Sequence, residues 1–469
     1  MNFDLKSAAH IFFCTGARNH ELLKIFDPAK ITFEYDERMA SFKALGLAHM
    51  TGKPVIICCT SGTAVAECLP ALLEARYSNT PLVLISGDRP FKMHGTGAPQ
   101  TINHRHLTEK VVGTYLELPL EKFAEVELNP AYPLHLNILV DDTVPHDLEV
   151  REDCTIGDFR TFITHKRSPL FLFSHEASSM RELIKKFAAT EHLFYAETLS
   201  GGREFSRISS ERDLIRMLKG NKFDAVIRIG HTPLSKIWRL LETQHLPVFS
   251  FDERHLPGLS YGMVSAMSSQ DLMASSEWWN ILDEQKTLPA LVKDSDLEKT
   301  LNKYPLSEMS VMKHLQDHLP ENALVYLGNS LVIRFFELVQ NRNFRTFGNR
   351  GVNGIDGQLA TAVGIALGTQ EKVTCILGDI TTLYDLSSLR EMPQNLRLVI
   401  MNNAGGRIFD MLGLDQRIIM EHEVNFKSIC QGFKLSYGQN DLSLLDSVQV
   451  LELSPDPTQT RAFLKDWNA

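Results

Sequence analysis

With 469 residues, 43% hydrophobic and 22% charged, the chain has an ordinary globular composition, and at about 150 residues per domain it has room for three cores. A formal net charge of -9 without a run of basic residues argues against a nucleic-acid partner, and no apolar stretch approaches the roughly 18 residues that span a membrane. Seven cysteines (Cys14, Cys58, Cys59, Cys68, Cys154, Cys375 and Cys430), none in a C-x-x-C pair, point away from a disulfide framework or zinc site and toward a reducing, cytoplasmic compartment.

The N-terminal stretch MNFDLKSAAHIFFCTG lacks a long apolar region and does not read as a signal peptide. From there short apolar runs alternate with helical patterns. HIFFCTG, ITFEYD, PVIICCTSG and PLVLISGD read as strands, and PLHLNILV closes the region near residue 140. ERMASFKALGLAHMTG and GTAVAECLPALLEARYS read as the intervening helices, the first stopped by Gly52 and the second N-capped by Ser61. The polar stretch DDTVPHDLEVREDCTIGDFRT is a linker.

LFLFS, HLFYAE, FDAVIRIG and PVFSFD follow as strands of a second unit, which fades into a helical connection, SSQDLMASSEWWNILDEQKTLPALVKDSDLEKT. The last third repeats the alternation in ALVYLGNS, TFGNR, VTCILGD, LRLVIMNN and SVQVLEL. This predicts the α/β class, with three doubly wound parallel-sheet domains over residues 1–150, 165–290 and 300–469.

In such sheets ligands bind beyond the carboxyl ends of the strands, near helix N-termini. VTCILGD ends in Asp379, and LRLVIMNN ends in Asn403 followed by Gly405-Gly406. A carboxylate, an amide oxygen and a backbone carbonyl at Gly405 make half an octahedral shell, which suits Mg²⁺ with waters and phosphate oxygens completing it. Adjacent glycines let backbone N–H groups approach a diphosphate. The competing reading is a helix-capping Asp379 and an ordinary NNAGG turn.

The sequence around these residues resembles one family. GD followed by NN after 24 residues is similar to the thiamine diphosphate (ThDP) fold-motif. GNSLVIRFFE, NRGVNGIDG, GDITTLYDLSSL and NNAGGRIF resemble the C-terminal domain of the 2-succinyl-5-enolpyruvyl-6-hydroxy-3-cyclohexene-1-carboxylate synthase (MenD) family of menaquinone biosynthesis. DERMASFKALGLA, TSGTAVAECLPALLEA, SGDRP and GAPQTINH resemble its N-terminal domain, so that about two-thirds of the chain carries the likeness in family order. The middle third resembles it only at VIRIGHTPLSK.

The resemblance implies the ThDP-binding fold, with pyrimidine, middle and diphosphate domains. It implies a transferase that decarboxylates 2-oxoglutarate and adds the resulting carbanion 1,4 to isochorismate. Asp379, Asn403 and the Gly405 carbonyl would hold Mg²⁺ or Mn²⁺ on the ThDP diphosphate, with Gly378, Thr381, Gly406 and Arg407 lining the phosphates. Ile355 would bend the cofactor into a V, a role that Ile408 and Phe409 could share.

Glu37 corresponds to the family's essential glutamate, hydrogen-bonded to the aminopyrimidine ring so that its imino tautomer removes the thiazolium C2 proton. Read alone, it is an exposed helix-start residue beside an Asp N-cap. Arg18, Arg89, Arg334 and Arg350, with Ser330 and Gln100, match substrate-contacting positions, and arginine suits bidentate recognition of dicarboxylic acids. Ala17 and Pro99 depart from the family, which carries serine and asparagine there. Two further readings are another ThDP-dependent 2-oxoacid decarboxylase or carboligase, and a non-catalytic ThDP-fold protein. The resemblance also implies a homodimer or homotetramer with active sites between subunits.

Overall fold

The computed structural model describes residues 5–123, 130–140, 153–176, 179–234, 237–285, 296–410 and 415–468. Most of the expected linker, residues 141–152, lies outside these. The described chain forms three parallel sheets with helices between successive strands. It divides into two compact units, one of residues 1–149, 349–356 and 404–424, the other of residues 150–348, 357–403 and 425–469.

The first unit holds strands β1 (His10–Cys14), β2 (Ile31–Glu34), β3 (Val55–Cys59), β4 (Leu82–Asp88), β5 (Thr114–Pro119) and β6 (Leu134–Leu139), in the order β2-β1-β3-β4-β6-β5. Every neighbouring pair is parallel, which requires a crossover between successive strands and covers both faces. That is why VIICC is apolar throughout. Val55, Ile57 and Cys59 pack on Ala40, Ala44 and Ala48 of the helix Glu37–Thr51, while Ile56 and Cys58 face Phe13, Phe123 and Leu136 on the other side. Gly52 ends that helix at φ +64°, as its position after HMT predicts.

The second helix differs from expectation. Its N-cap is Gly62 rather than Ser61, at φ +90° and without a side-chain cap, and it is interrupted at Cys68 into Thr63–Glu67 and Leu69–Ser78, with Pro70 in the first turn of the second piece. Ser61 is thereby released for a different contact.

The second unit contains two sheets. One has β7 (Pro169–Phe173), β8 (Phe194–Ala196), β9 (Ala225–Ile229), β10 (Val248–Phe251) and β11 (Met263–Ser265), ordered β11-β10-β9-β7-β8 around a phenylalanine-rich core with Trp278. The other has β12 (Leu324–Leu327), β13 (Arg345–Phe347), β14 (Val373–Gly378), β15 (Leu396–Met401), β16 (Tyr437–Gln439) and β17 (Val450–Leu453), ordered β13-β12-β14-β15-β17-β16. This order repeats that of the first sheet strand for strand. Tyr195 Oη donates to Glu337 Oε1 at 2.6 Å and Thr198 Oγ1 to Gln340 Oε1 at 2.8 Å, joining the two sheets of this unit.

Candidate functional site

In an order of the type 2-1-3-4 the topological switch lies between the first and third strands, and the loops there form the natural crevice. In the first unit these are the loops after β1 and β3, flanked by the loop after β4. Arg18 follows β1, and its guanidinium donates to Ser61 Oγ at 3.2 Å, to Gln100 Oε1 at 3.0 Å and to the Pro99 carbonyl at 3.2 Å. Arg89, at the end of β4, donates to the same carbonyl at 3.0 Å. Arg18, Arg89 and Gln100 are therefore brought together. Pro99, which lacks an amide donor, contributes the acceptor that unites the two arginines. Gln100 adopts φ +61°, a conformation few non-glycine residues take, so the loop is held against its own preference.

Behind this loop lies a buried polar network. The Gly62 N–H donates to His104 Nε2 at 3.1 Å, which leaves the His104 proton on Nδ1, 3.0 Å from Asp88 Oδ2 and 2.9 Å from Asn137 Oδ1. Burial alone would raise the Asp88 carboxyl, but hydrogen bonds from His104 and His94 hold it well below the usual carboxylate range. Thr63 Oγ1 donates to Asp356 Oδ1 at 2.7 Å, which fixes the NRGVNGID segment carrying Arg350 and Ile355 to this unit. Both Arg350 and Ile355 are half-buried.

Glu37 is the first residue of its helix. Asp36 does cap that helix, accepting from the Met39 N–H at 2.8 Å, yet Glu37 is only 8% exposed. It lies against the sheet, close enough that its charge adds to burial in pushing the Cys14 thiol up.

In the second unit β14 and β15 pair in register up to Gly378 opposite Met401, so Asp379 and Asn403 leave adjacent strands at the same sheet edge. Asp379 is 2% exposed and begins the helix Asp379–Tyr384, with Thr381 buried beside it. Asn403 Nδ2 donates to Glu308 Oε2 at 2.9 Å. Glu308 is 1% exposed; burial pushes its carboxyl up to about 7, the Asn403 bond works against this, and the Asp379 charge adds to it. Two buried carboxyl groups that sense each other, with an amide oxygen beside them, form a hard-oxygen donor set that a divalent cation fits. After β12, Ser330 turns through φ +68° and its carbonyl accepts from Arg334 Nη1, so these two expected residues also meet.

Residues 404–424 group with the first unit. Gly405 has φ +140°, and a Cβ there would lie 2.8 Å from the Ile419 carbonyl, so glycine is required. The Gly406 N–H, expected to face a diphosphate, donates to that carbonyl at 2.6 Å. Arg407 pairs with Glu421 at 2.8 Å, and any phosphate must compete with that carboxylate. Ile408 and Phe409 are half-buried.

The chain is 33% identical to the 2-succinyl-5-enolpyruvyl-6-hydroxy-3-cyclohexene-1-carboxylate synthase of Bdellovibrio bacteriovorus, over 97% of its own length and 94% of the relative's. It belongs to that synthase family. The proteins of the same name from Akkermansia muciniphila and Desulfotalea psychrophila are 30% and 29% identical, covering 95% and 96% of this chain and 93% and 96% of theirs. Residues 5–107 match the N-terminal TPP-binding domain of thiamine pyrophosphate enzymes.

Three residues of this synthase-family chain escaped the sequence reading. Ser61 looked like a helix cap, and His104 sits in an unremarkable NHRH stretch. Glu308, in LSEMSV, looked like a first-turn acid after the N-cap Ser307. Only the apolar run that follows Glu308 signalled that its helix is buried.

Proposed function

We propose that this protein catalyses the ThDP-dependent decarboxylation of 2-oxoglutarate and the 1,4-addition of the resulting carbanion to isochorismate. The product is 2-succinyl-5-enolpyruvyl-6-hydroxy-3-cyclohexene-1-carboxylate, the compound named in its relatives. The observation that carries the reading is the buried pair Asp379 and Asn403 at the matched ends of β14 and β15, in a chain of this family.

Asp379, Asn403 and the Gly405 carbonyl are the residues that would hold Mg²⁺ or Mn²⁺ against the cofactor's diphosphate, with Gly378 and Thr381 at the phosphates; the Gly406 N–H would first have to leave the Ile419 carbonyl. Bound ThDP supplies the electron sink that lets a 2-oxoacid lose CO2. The chain's own part is positioning and charge. Glu37 holds a proton at the aminopyrimidine ring from a site largely shielded from water. Arg18 and Arg89, drawn together by Pro99, present fixed N–H forks to substrate carboxylates, and Arg334 and Arg350 add positive charge for them. Ile355, with Ile408 and Phe409, is apolar bulk suited to bending the cofactor. We place the enzyme in the cytoplasm; among the described residues no helix is long and apolar enough to cross a membrane.

The test incubates the protein with ThDP, Mg²⁺ and 2-oxoglutarate, with and without isochorismate, and follows CO2 release and isochorismate loss. Both should depend on 2-oxoglutarate. Preferential use of pyruvate as donor, or decarboxylation without isochorismate consumption, would overturn the assignment in favour of another 2-oxoacid carboligase or decarboxylase.

A further inference from the structure

We infer that Glu308 is a positioning residue that sets the Asn403 side chain as an oxygen ligand, an inference that rests on the metal-diphosphate reading of this site. The helix Glu308–His318 belongs to neither β14 nor β15, and it reaches the sheet edge from outside. Its start is pinned twice: Ser307 Oγ accepts from the Ser310 N–H at 3.2 Å, and the Glu308 N–H donates to Thr460 Oγ1 at 2.9 Å. The carboxylate at the end of this pinned backbone takes the donor end of the Asn403 amide at 2.9 Å.

A primary amide has a donor end and an acceptor end fixed on one plane. Holding Nδ2 determines where Oδ1 points, and because Glu308 Oε2 takes the Nδ2 hydrogen, the acceptor end of the amide is turned away from Glu308. A metal ligand gains from such a partner because it arrives already oriented. Glu308 also senses the charge of Asp379, the other side chain proposed as a ligand. Its second oxygen, Oε1, is buried and makes no hydrogen bond to the described residues. Buried polar atoms seldom stay unmatched, and a water at Oε1 would help fix the carboxylate that holds Asn403.

The experiment measures Mg²⁺-dependent ThDP binding by calorimetry on the full-length protein, with Mg²⁺ titrated at saturating ThDP. Glu308→Gln keeps an acceptor oxygen and should retain Mg²⁺ affinity within about threefold, whereas Glu308→Ala should lose about 10- to 100-fold. If Glu308→Ala unfolds, Glu308→Met fills the space without accepting and should show the same loss. Because Glu308 acts through Asn403, adding Glu308→Ala to Asn403→Ala should weaken binding by no more than about threefold beyond Asn403→Ala alone. Wild-type affinity in Glu308→Ala or Glu308→Met, or a loss that multiplies with that of Asn403→Ala, would overturn the inference. Wild-type protein that binds ThDP without any need for Mg²⁺ would instead overturn the underlying metal-site reading.

Discussion

Glu37 and Arg18 show how a side chain's surroundings change what its sequence position suggests. Asp36 supplies the helix cap, which leaves Glu37 without a capping duty, and the sheet buries it. Glu37→Gln preserves size and packing but removes the acid, so kcat should fall about 10²- to 10⁴-fold while the thermal midpoint moves little. Steady-state kinetics beside a melting curve check both halves, and undiminished kcat would remove Glu37 from the proton path. Arg18 donates to Ser61, Gln100 and the Pro99 carbonyl in the loops around it, and its fork is held before any substrate arrives. Arg18→Lys keeps the charge and loses the fork; KM for one of the two acids should rise about 10- to 100-fold, the equivalent of about 1.5–3 kcal/mol for a charged hydrogen bond. Arg18, Arg89 and Gln100 were named through the family resemblance alone, since a loop arginine read by itself usually does no more than solvate; that the three meet at Pro99 is a tertiary fact. Glu308 was missed, because the apolar residues after it show that its helix packs inward but not that the first-turn glutamate itself is buried.

At the scale of elements, every central strand could be read from the sequence, and so could the edge strands β2, β8 and β13, but the other three edge strands could not. β5, β11 and β16 went unrecognised, and each is the outermost strand of its sheet. Most central strands are covered on both faces and read as apolar runs, whereas TYLELP is half-buried over most of its length and MVS and YGQ are only three residues long, too short to show a pattern. The grouping of residues 349–356 and 404–424 with the first sheet was equally hidden, since a contact such as Thr63 to Asp356 is tertiary. The helix Leu331–Val339 holds a testable exception to its own apolar character. Burial pushes Glu337 up to about 7, from about 4.5 for an ordinary glutamate, despite the nearby Arg203 and the Tyr195 hydrogen bond. Between those two values the folded protein keeps a proton that the unfolded chain releases. Stability from this group is therefore present at low pH and falls as pH rises from about 4.5 to 7, by about 3 kcal/mol in all. Urea unfolding at pH 5 and pH 7 should show a smaller decline for Glu337→Gln than for wild type. Equal declines would mean that Glu337 is already ionised at pH 5.

For the whole molecule, the repeated strand order β2-β1-β3-β4-β6-β5 and β13-β12-β14-β15-β17-β16 places the arginine loops and the Asp379–Asn403 pair at equivalent sheet edges. Two such edges suit the two ends of one cofactor, which we propose is shared between subunits. The helices Glu37–Thr51 and Leu69–Ser78 support association of the first unit with a second copy. They carry Phe42, Met50, Leu73 and Tyr77 in water, with Met50 86% and Tyr77 85% exposed. Large apolar side chains gain about 25 cal/mol for each Å² they bury, and a pair of helices presenting four of them is a costly surface for a monomer. Sedimentation should therefore give a dimer or a larger even assembly. The double variant Met50→Glu, Tyr77→Glu places two charges on that surface and should shift the protein toward monomer at low micromolar concentration. Activity should fall in step with dissociation, because Glu37 lies on one of these same helices and would lose the partner's half of the site. Raising the variant's concentration should restore dimer and activity together, which separates dissociation from local damage. A monomer that decarboxylates 2-oxoglutarate at the wild-type rate would contradict the shared site, since every group the reaction needs would then come from a single chain.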